Sequence, residues 1–200
     1  EHANIIKYCW HSTTETSVVN YKKAEGFPRF KKSSFLLCFD FSENTTLDEY
    51  LISDGIIFNL DSLIAVAMDL ISAIQHLEQK GVVHNNITTS SVLIDKGFRV
   101  PPITAVLGNF GFAQRVPQDF PECTLNGRSV KDILGKNILQ FGFVLSELMK
   151  NCRDSNELEG LQEVMDLCLE QDPEVRPDAC QVKDLVEELW SRNDIWDTSL

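Results

Sequence analysis

The sequence predicts an α+β fold dominated by helices, and three observations predict it. Two short β-prone runs, at 5–10 and 35–41, come first in the chain. One long segment at 61–80 repeats its apolar residues at helical spacing. A polar stretch with a small hairpin then gives way to further helical segments that run to the end, an order of runs that argues for segregated strands and helices. At 200 residues the chain fits one domain of ordinary size with room for a real core.

Each element has its own reason. The run 5–10 is apolar and β-prone, and the mixed polar stretch 11–34, with Gly26 and Pro28, reads as a long loop or ragged hairpin. The run 35–41 is short, apolar and bounded by polar residues, as a buried strand is. Thr46 is the candidate cap of a short helix that starts there. In the long helix, Leu63, Val66, Ala67, Leu70, Ile71, Ile74 and Leu77 form one stripe, Asp61 is the expected cap and Gly81 the stop. Strands are expected at 92–95 and 104–107, with a turn at Pro101 and Pro102. The segment 136–150 is apolar almost all round and reads as a helix buried in the core. Segments 158–170 and 180–190 are amphipathic, and the prolines Pro173 and Pro177 break the helix between them.

Composition narrows the function classes. Hydrophobic residues make up 43% and charged residues 24%, values of a soluble globular protein. The net charge of −12 argues against nucleic acid as the main partner, because phosphate recognition needs a basic face. The early cluster Lys22, Lys23, Arg29, Lys31 and Lys32 reads as a solvated loop. None of the six cysteines forms a C-x-x-C pair, so free thiols in a reducing, cytoplasmic setting are expected, with no metal site. No membrane segment and no signal peptide are read in the chain. It does not begin with methionine, and it is expected to be an excerpt of a longer protein.

The stretch 82–94 then carries a more specific signal. His84, Asn85, Asn86 and Ser91 stand where the pattern H-R-D-L-x-x-x-x-N has its histidine, arginine, aspartate and final asparagine. Other signatures follow in a consistent order. His2-Ala3-Asn4-Ile5-Ile6 resembles H-x-N-I-V, and Gly108-Asn109-Phe110-Gly111 resembles D-F-G with asparagine for aspartate. Phe120-Pro121-Glu122 resembles A-P-E, and the run 137–145 resembles D-V-W-S-F-G-V-L-L. The run 168–177 resembles C-L-x-x-D-P-x-x-R-P almost position for position. Together these resemble the protein kinase superfamily over nearly the whole chain. A shorter resemblance, through His2 to Tyr8 and Trp10 before a polar insertion, is to the kinases of translation initiation factor 2.

The resemblance implies a kinase-like helical large lobe at 42–200, preceded at 1–41 by a remnant of small-lobe strands with a long loop between them. It implies a gatekeeper at Phe39 and an adenine-facing hinge at Asp40, Phe41 and Ser42. It also implies that the chemistry is lost. Asn86 is an amide and cannot act as a base. Asn109 puts one neutral oxygen where magnesium expects a carboxylate, and Ser91 is too short to replace the second ligand. Of the nearest acids in sequence, Asp95 is expected to lie past the small strand and point elsewhere, and Asp119 to fall in the activation segment. Asn109 and Glu122 are only thirteen positions apart, a short activation segment, and the helix that kinases place after 151 looks deleted.

Scaffold positions are kept by the same resemblance. His84 and Phe110 match the apolar spine, Asn137 matches the residue that anchors the catalytic loop, and Glu122 with Arg176 matches a buried ion pair. The implied protein is a catalytically inactive kinase-like domain, a pseudokinase acting as a scaffold or allosteric regulator of a protein partner such as an active kinase or its substrate. The alternative is a divergent kinase or an ATP-binding sensor that holds nucleotide weakly without magnesium. No other cofactor is expected.

Overall fold

The structure is a computed structural model that describes residues 1–13, 35–40, 45–53, 59–95, 103–116, 128–152 and 158–192. Strands β1 (Lys7–Thr13) and β2 (Phe35–Asp40) pair antiparallel, with a register shift between Tyr8 and Trp10. The expected first strand therefore starts two residues late and runs three further. Ile5 is diverted because its backbone bridges Leu107 instead.

Strand β3 (Thr45–Thr46) leads into α1 (Leu47–Ile52). Thr46 stands at the cap position, as expected, and the Glu49 carboxylate reaches back to accept its N–H at 3.1 Å and the Thr45 hydroxyl at 3.0 Å. Helix α2 (Leu60–Gln79) begins one residue earlier than expected. Its cap is Asn59, not Asp61: the Asn59 side chain accepts the Ser62 N–H at 2.9 Å, while Asp61 lies inside the first turn, where its charge favours the helix dipole. Gly81 ends the helix in the left-handed region, at φ 63°.

Strand β4 (Val82–Val83) is followed by a 3₁₀ turn at Thr89–Ser91, by β5 (Val92–Asp95) and by β6 (Thr104–Leu107). Both expected hairpin strands thus appear at their expected bounds, whereas Pro101 and Pro102 lie outside the described residues. β3, β5 and β6 form one antiparallel sheet in that order, and β4 pairs with β7 (Gln114–Arg115).

Helix α3 (Val130–Lys150) starts six residues before the expected position, capped by Ser129, whose hydroxyl accepts the Asp132 N–H at 3.0 Å. Gly135 and the charged pair Lys131 and Asp132 hid that first stretch from a reading of apolar periodicity. The helix is also not buried all round, since Phe143 is 56% exposed. Helices α4 (Glu159–Cys168) and α5 (Ala179–Arg192) are the last elements of the described residues and lie close to their expected places.

The core is organised around α2, which packs against α3, α5 and β6. Leu63, Leu70, Ile71 and Ile74 of α2 are fully buried with Phe141 and Ile138 of α3 and Leu107 of β6. α2 has the length and composition of a membrane span, but eleven of its twenty residues are buried inside this protein core. A smaller cluster of Val83, Val116 and Ile133 closes the other side of β4.

Candidate functional site

The loop 84–91 leaves β4 with little chance to satisfy its own backbone, so side chains from α3 do it. Asn137 is fully buried: its Oδ1 accepts the His84 N–H at 2.9 Å and its Nδ2 donates to the Val82 carbonyl at 3.0 Å. Three residues on, along the same helix face, Gln140 Oε1 accepts the Ile87 N–H at 3.1 Å. Two amides thus pin three points of the loop to the core helix.

His84 sits at the centre. Its ring is buried, Nε2 donates to the Gly108 carbonyl at 2.9 Å and Nδ1 accepts the Asn86 N–H at 3.3 Å. These bonds fix one neutral tautomer. Burial pulls the pKa below the ordinary histidine value, partly opposed by the bond to Gly108. The Phe110 ring meets it edge-on at 4.6 Å. The histidine therefore clamps the loop to the segment that follows β6.

Asparagines make the two sharp bends. Asn85 (φ 63°) and Asn109 (φ 59°) are in the left-handed region, which asparagine tolerates better than other side chains. Asn85 Nδ2 also donates to the Phe112 carbonyl at 3.0 Å, a second tie between the loop and the 3₁₀ turn Phe110–Phe112. Asn109 is exposed at the start of that turn, and Asn86 is half-buried.

Ser91 faces inward. It is 1% exposed, its hydroxyl donates to the Thr88 carbonyl at 2.8 Å and it accepts the Thr88 N–H at 2.9 Å. Both functions of the hydroxyl are spent on closing the turn. Among the described residues, no three His, Cys, Asp or Glu gather to hold a metal ion.

The structure thus brings His84, Asn85, Asn86, Asn109 and Phe110 to one crossing of two segments, with Asn137 beneath. Arg176 lies apart from it. Its buried guanidinium donates to the Glu170 carbonyl at 2.9 and 2.6 Å and to the Gly135 carbonyl at 3.1 Å, tying the link between α4 and α5 to α3. Glu122, its expected partner, lies outside the described residues, as do Phe41, Ser42 and Asp119. Phe39 and Asp40 fall in β2, opposite Tyr8 and Lys7.

Sequence reasoning passed over Gln140, the tie made by Asn85, and the way Asn4 holds β6 through its Nδ2, which donates to the Ala105 carbonyl at 3.1 Å. For Gln140 a signal existed. An amide three residues after Asn137, in an otherwise apolar helix, marks a second polar group facing the same partner.

Comparison with known proteins adds the family. The family model described as "Protein tyrosine and serine/threonine kinase" matches residues 11–131, well over half of the chain. A "Protein kinase and PP2C-like domain-containing protein" of Arabidopsis thaliana is 30% identical over 84 residues, 42% of this chain and 12% of that protein. A "Serine/threonine-protein kinase US3 homolog" of Gallid herpesvirus 2 (strain GA) is 30% identical over 66 residues, 32% of this chain and 15% of that protein. The matched stretch is a small part of either relative.

Proposed function

The chain belongs to the protein tyrosine and serine/threonine kinase family, and from that premise we propose that it is a catalytically inactive member, a pseudokinase that works by binding a protein partner. Residues 42–200 serve as the helical large lobe and 1–41 as a remnant of small-lobe strands. The partner is an active kinase or a kinase substrate, which the domain scaffolds or regulates allosterically.

The observation that carries this reading is the state of Ser91. Phosphoryl transfer depends on positioned charge: a base for the hydroxyl nucleophile and oxygen ligands for magnesium at the phosphates. Ser91 occupies the position of one such ligand, and its hydroxyl is locked onto the Thr88 backbone. Asn86 and Asn109, at the other two positions, carry neutral amides. This donor set offers magnesium no carboxylate, and its one hydroxyl is already engaged. The loop's frame, by contrast, is held through Asn137, Gln140 and His84. A shaped surface with its working groups removed supports recognition rather than turnover.

Two measurements test the proposal. The first compares phosphate transfer from ATP to a generic protein substrate by the wild type and by the triple variant Asn86→Asp, Ser91→Asn, Asn109→Asp. Wild-type activity equal to that of the variant, and above background, would sink the mechanism. The second is a thermal shift with ATP, with added magnesium or with EDTA. The expected result is no shift in any condition. A shift that needs magnesium would mean that a metal ligand exists after all, and one that survives EDTA would favour a metal-independent nucleotide sensor.

A further inference from the structure

The segment His2–Ile6 straps β6 to the β1–β2 sheet. Ile6 N–H donates to the Leu107 carbonyl at 2.9 Å, and Leu107 N–H donates back to the Asn4 carbonyl at 2.8 Å. Asn4 is buried, with its Nδ2 on the Ala105 carbonyl. One residue after Ile6 the chain enters β1. On the other side, Leu107 is followed by Gly108, whose carbonyl holds His84, and by Asn109 at the bend. The strap thus shares one strand end with the candidate site.

His2 organises the strap. Its Nδ1 accepts the Asn4 N–H at 3.2 Å, so in this state Nδ1 bears no proton and the ring proton is on Nε2. The half-buried ring lies 5.1 Å, centroid to centroid, from the ring of His76 in the last turn of α2. Lys183 of α5, itself 3.5 Å from Glu187, adds a positive charge beside it. Burial first, then His76 and Lys183, hold its pKa below the ordinary histidine value.

We propose that His2 is a proton-operated latch: a second proton, taken from solvent, binds Nδ1, ends its acceptance of the Asn4 N–H and releases the strap from β6. The reasoning is stereochemical. Nδ1 is the one ring position free to take the proton, and a protonated nitrogen is a donor that faces another donor. The new cation also sits against His76 and Lys183, where like charges disfavour it until the ring moves out towards water. Release frees the backbone of Leu107, the neighbour of Gly108, so mild acid loosens both the β1–β2 sheet and the 108–112 side of the candidate site.

Amide hydrogen exchange on the full chain, read residue by residue between pH 8 and 5 and corrected for intrinsic rates, tests the latch, with the His2 ring followed by nitrogen chemical shifts. The expected result is a protection loss of at least ~10-fold at the amides of Ile6 and Leu107, following the His2 titration, while the core amides of α2 stay protected. In His2→Gln, a neutral side chain that still accepts the Asn4 N–H, protection at both amides should be flat with pH. His76→Gln should keep the pH response and move its midpoint upward. Flat protection in the wild type, an unchanged response in His2→Gln, or a His2 ring protonated on Nδ1 at pH 8 would each overturn the proposal. If His2→Gln does not fold, the ring-nitrogen shifts and wild-type exchange decide it alone.

Discussion

Asn137→Ala should uncouple the loop from the core, and the size of the effect follows from what Asn137 touches. The side chain is fully buried and its amide serves two backbone groups, the His84 N–H at 2.9 Å and the Val82 carbonyl at 3.0 Å. Alanine leaves both without that partner, and a buried group so stranded costs about 1–3 kcal/mol. The two together give a loss of about 3 kcal/mol if water partly recovers the half-buried Val82. At about 2–4 °C per kcal/mol for a domain of this size, the melting temperature should fall by about 6–12 °C. Asn137→Asp is the sharper variant. An ionised carboxylate still accepts from His84 but cannot donate to Val82, so one bond is lost and two oxygens oppose each other. That variant should be less stable than wild type at pH 8 and recover part of the loss near pH 4, where a protonated carboxyl donates again. Thermal melts by circular dichroism at both pH values suffice. A drop of less than ~2 °C for Asn137→Ala, or no pH dependence of the aspartate variant relative to wild type, would refute the account of Asn137 as the loop's anchor.

Three further outcomes are expected. Glu78 accepts the Ala179 N–H at the start of α5, and burial pushes its carboxyl up to about 7, with Asp178 adding to the rise and the Ala179 bond opposing it. A folded value above the ordinary 4.5 means stability that is complete below about pH 4.5 and lost as pH rises through about 7. Glu78→Gln should therefore match wild type in mild acid and exceed it at pH 8 by on the order of 2–3 kcal/mol in urea denaturation; identical pH slopes would count against this. Gly142 lies where α3 meets the end of α4, and a Cβ there would stand 2.9 Å from Leu169 Cδ2 and 3.0 Å from Cys168 Cβ. The overpacking, about 1–3 kcal/mol, outweighs the roughly 1 kcal/mol that alanine adds to a helix, so Gly142→Ala should unfold at lower urea and Gly142→Val lower still. Arg176→Ala takes both donors from the Glu170 carbonyl and cuts the tie to Gly135 of α3, and should cost about 1–3 kcal/mol, with Arg176→Lys recovering only part because an ammonium cannot span both. An unchanged melting temperature for the alanine variant would remove Arg176 from the scaffold.

Periodicity made α2, β5 and β6 legible in the sequence, because one-sided burial repeats along a regular element and leaves an apolar stripe. Motif order made the family legible, and residue type alone put three neutral side chains at 86, 91 and 109. The sequence did not decide where the two long helices begin. Asn59 and Ser129 cap α2 and α3 because their backbones are extended there and their side chains reach the next turn, a geometry no stripe encodes. Nor could it say what the polar side chains do, since an amide in a sequence has no partner until the chain folds. Only the tertiary structure joined Asn137 to Val82 and His84, Gln140 to Ile87 and Asn85 to Phe112, contacts that span between 27 and 55 positions of chain. It also turned Ser91 inward onto Thr88 and set His2 against His76, because burial and hydrogen-bond satisfaction are settled by which surfaces meet.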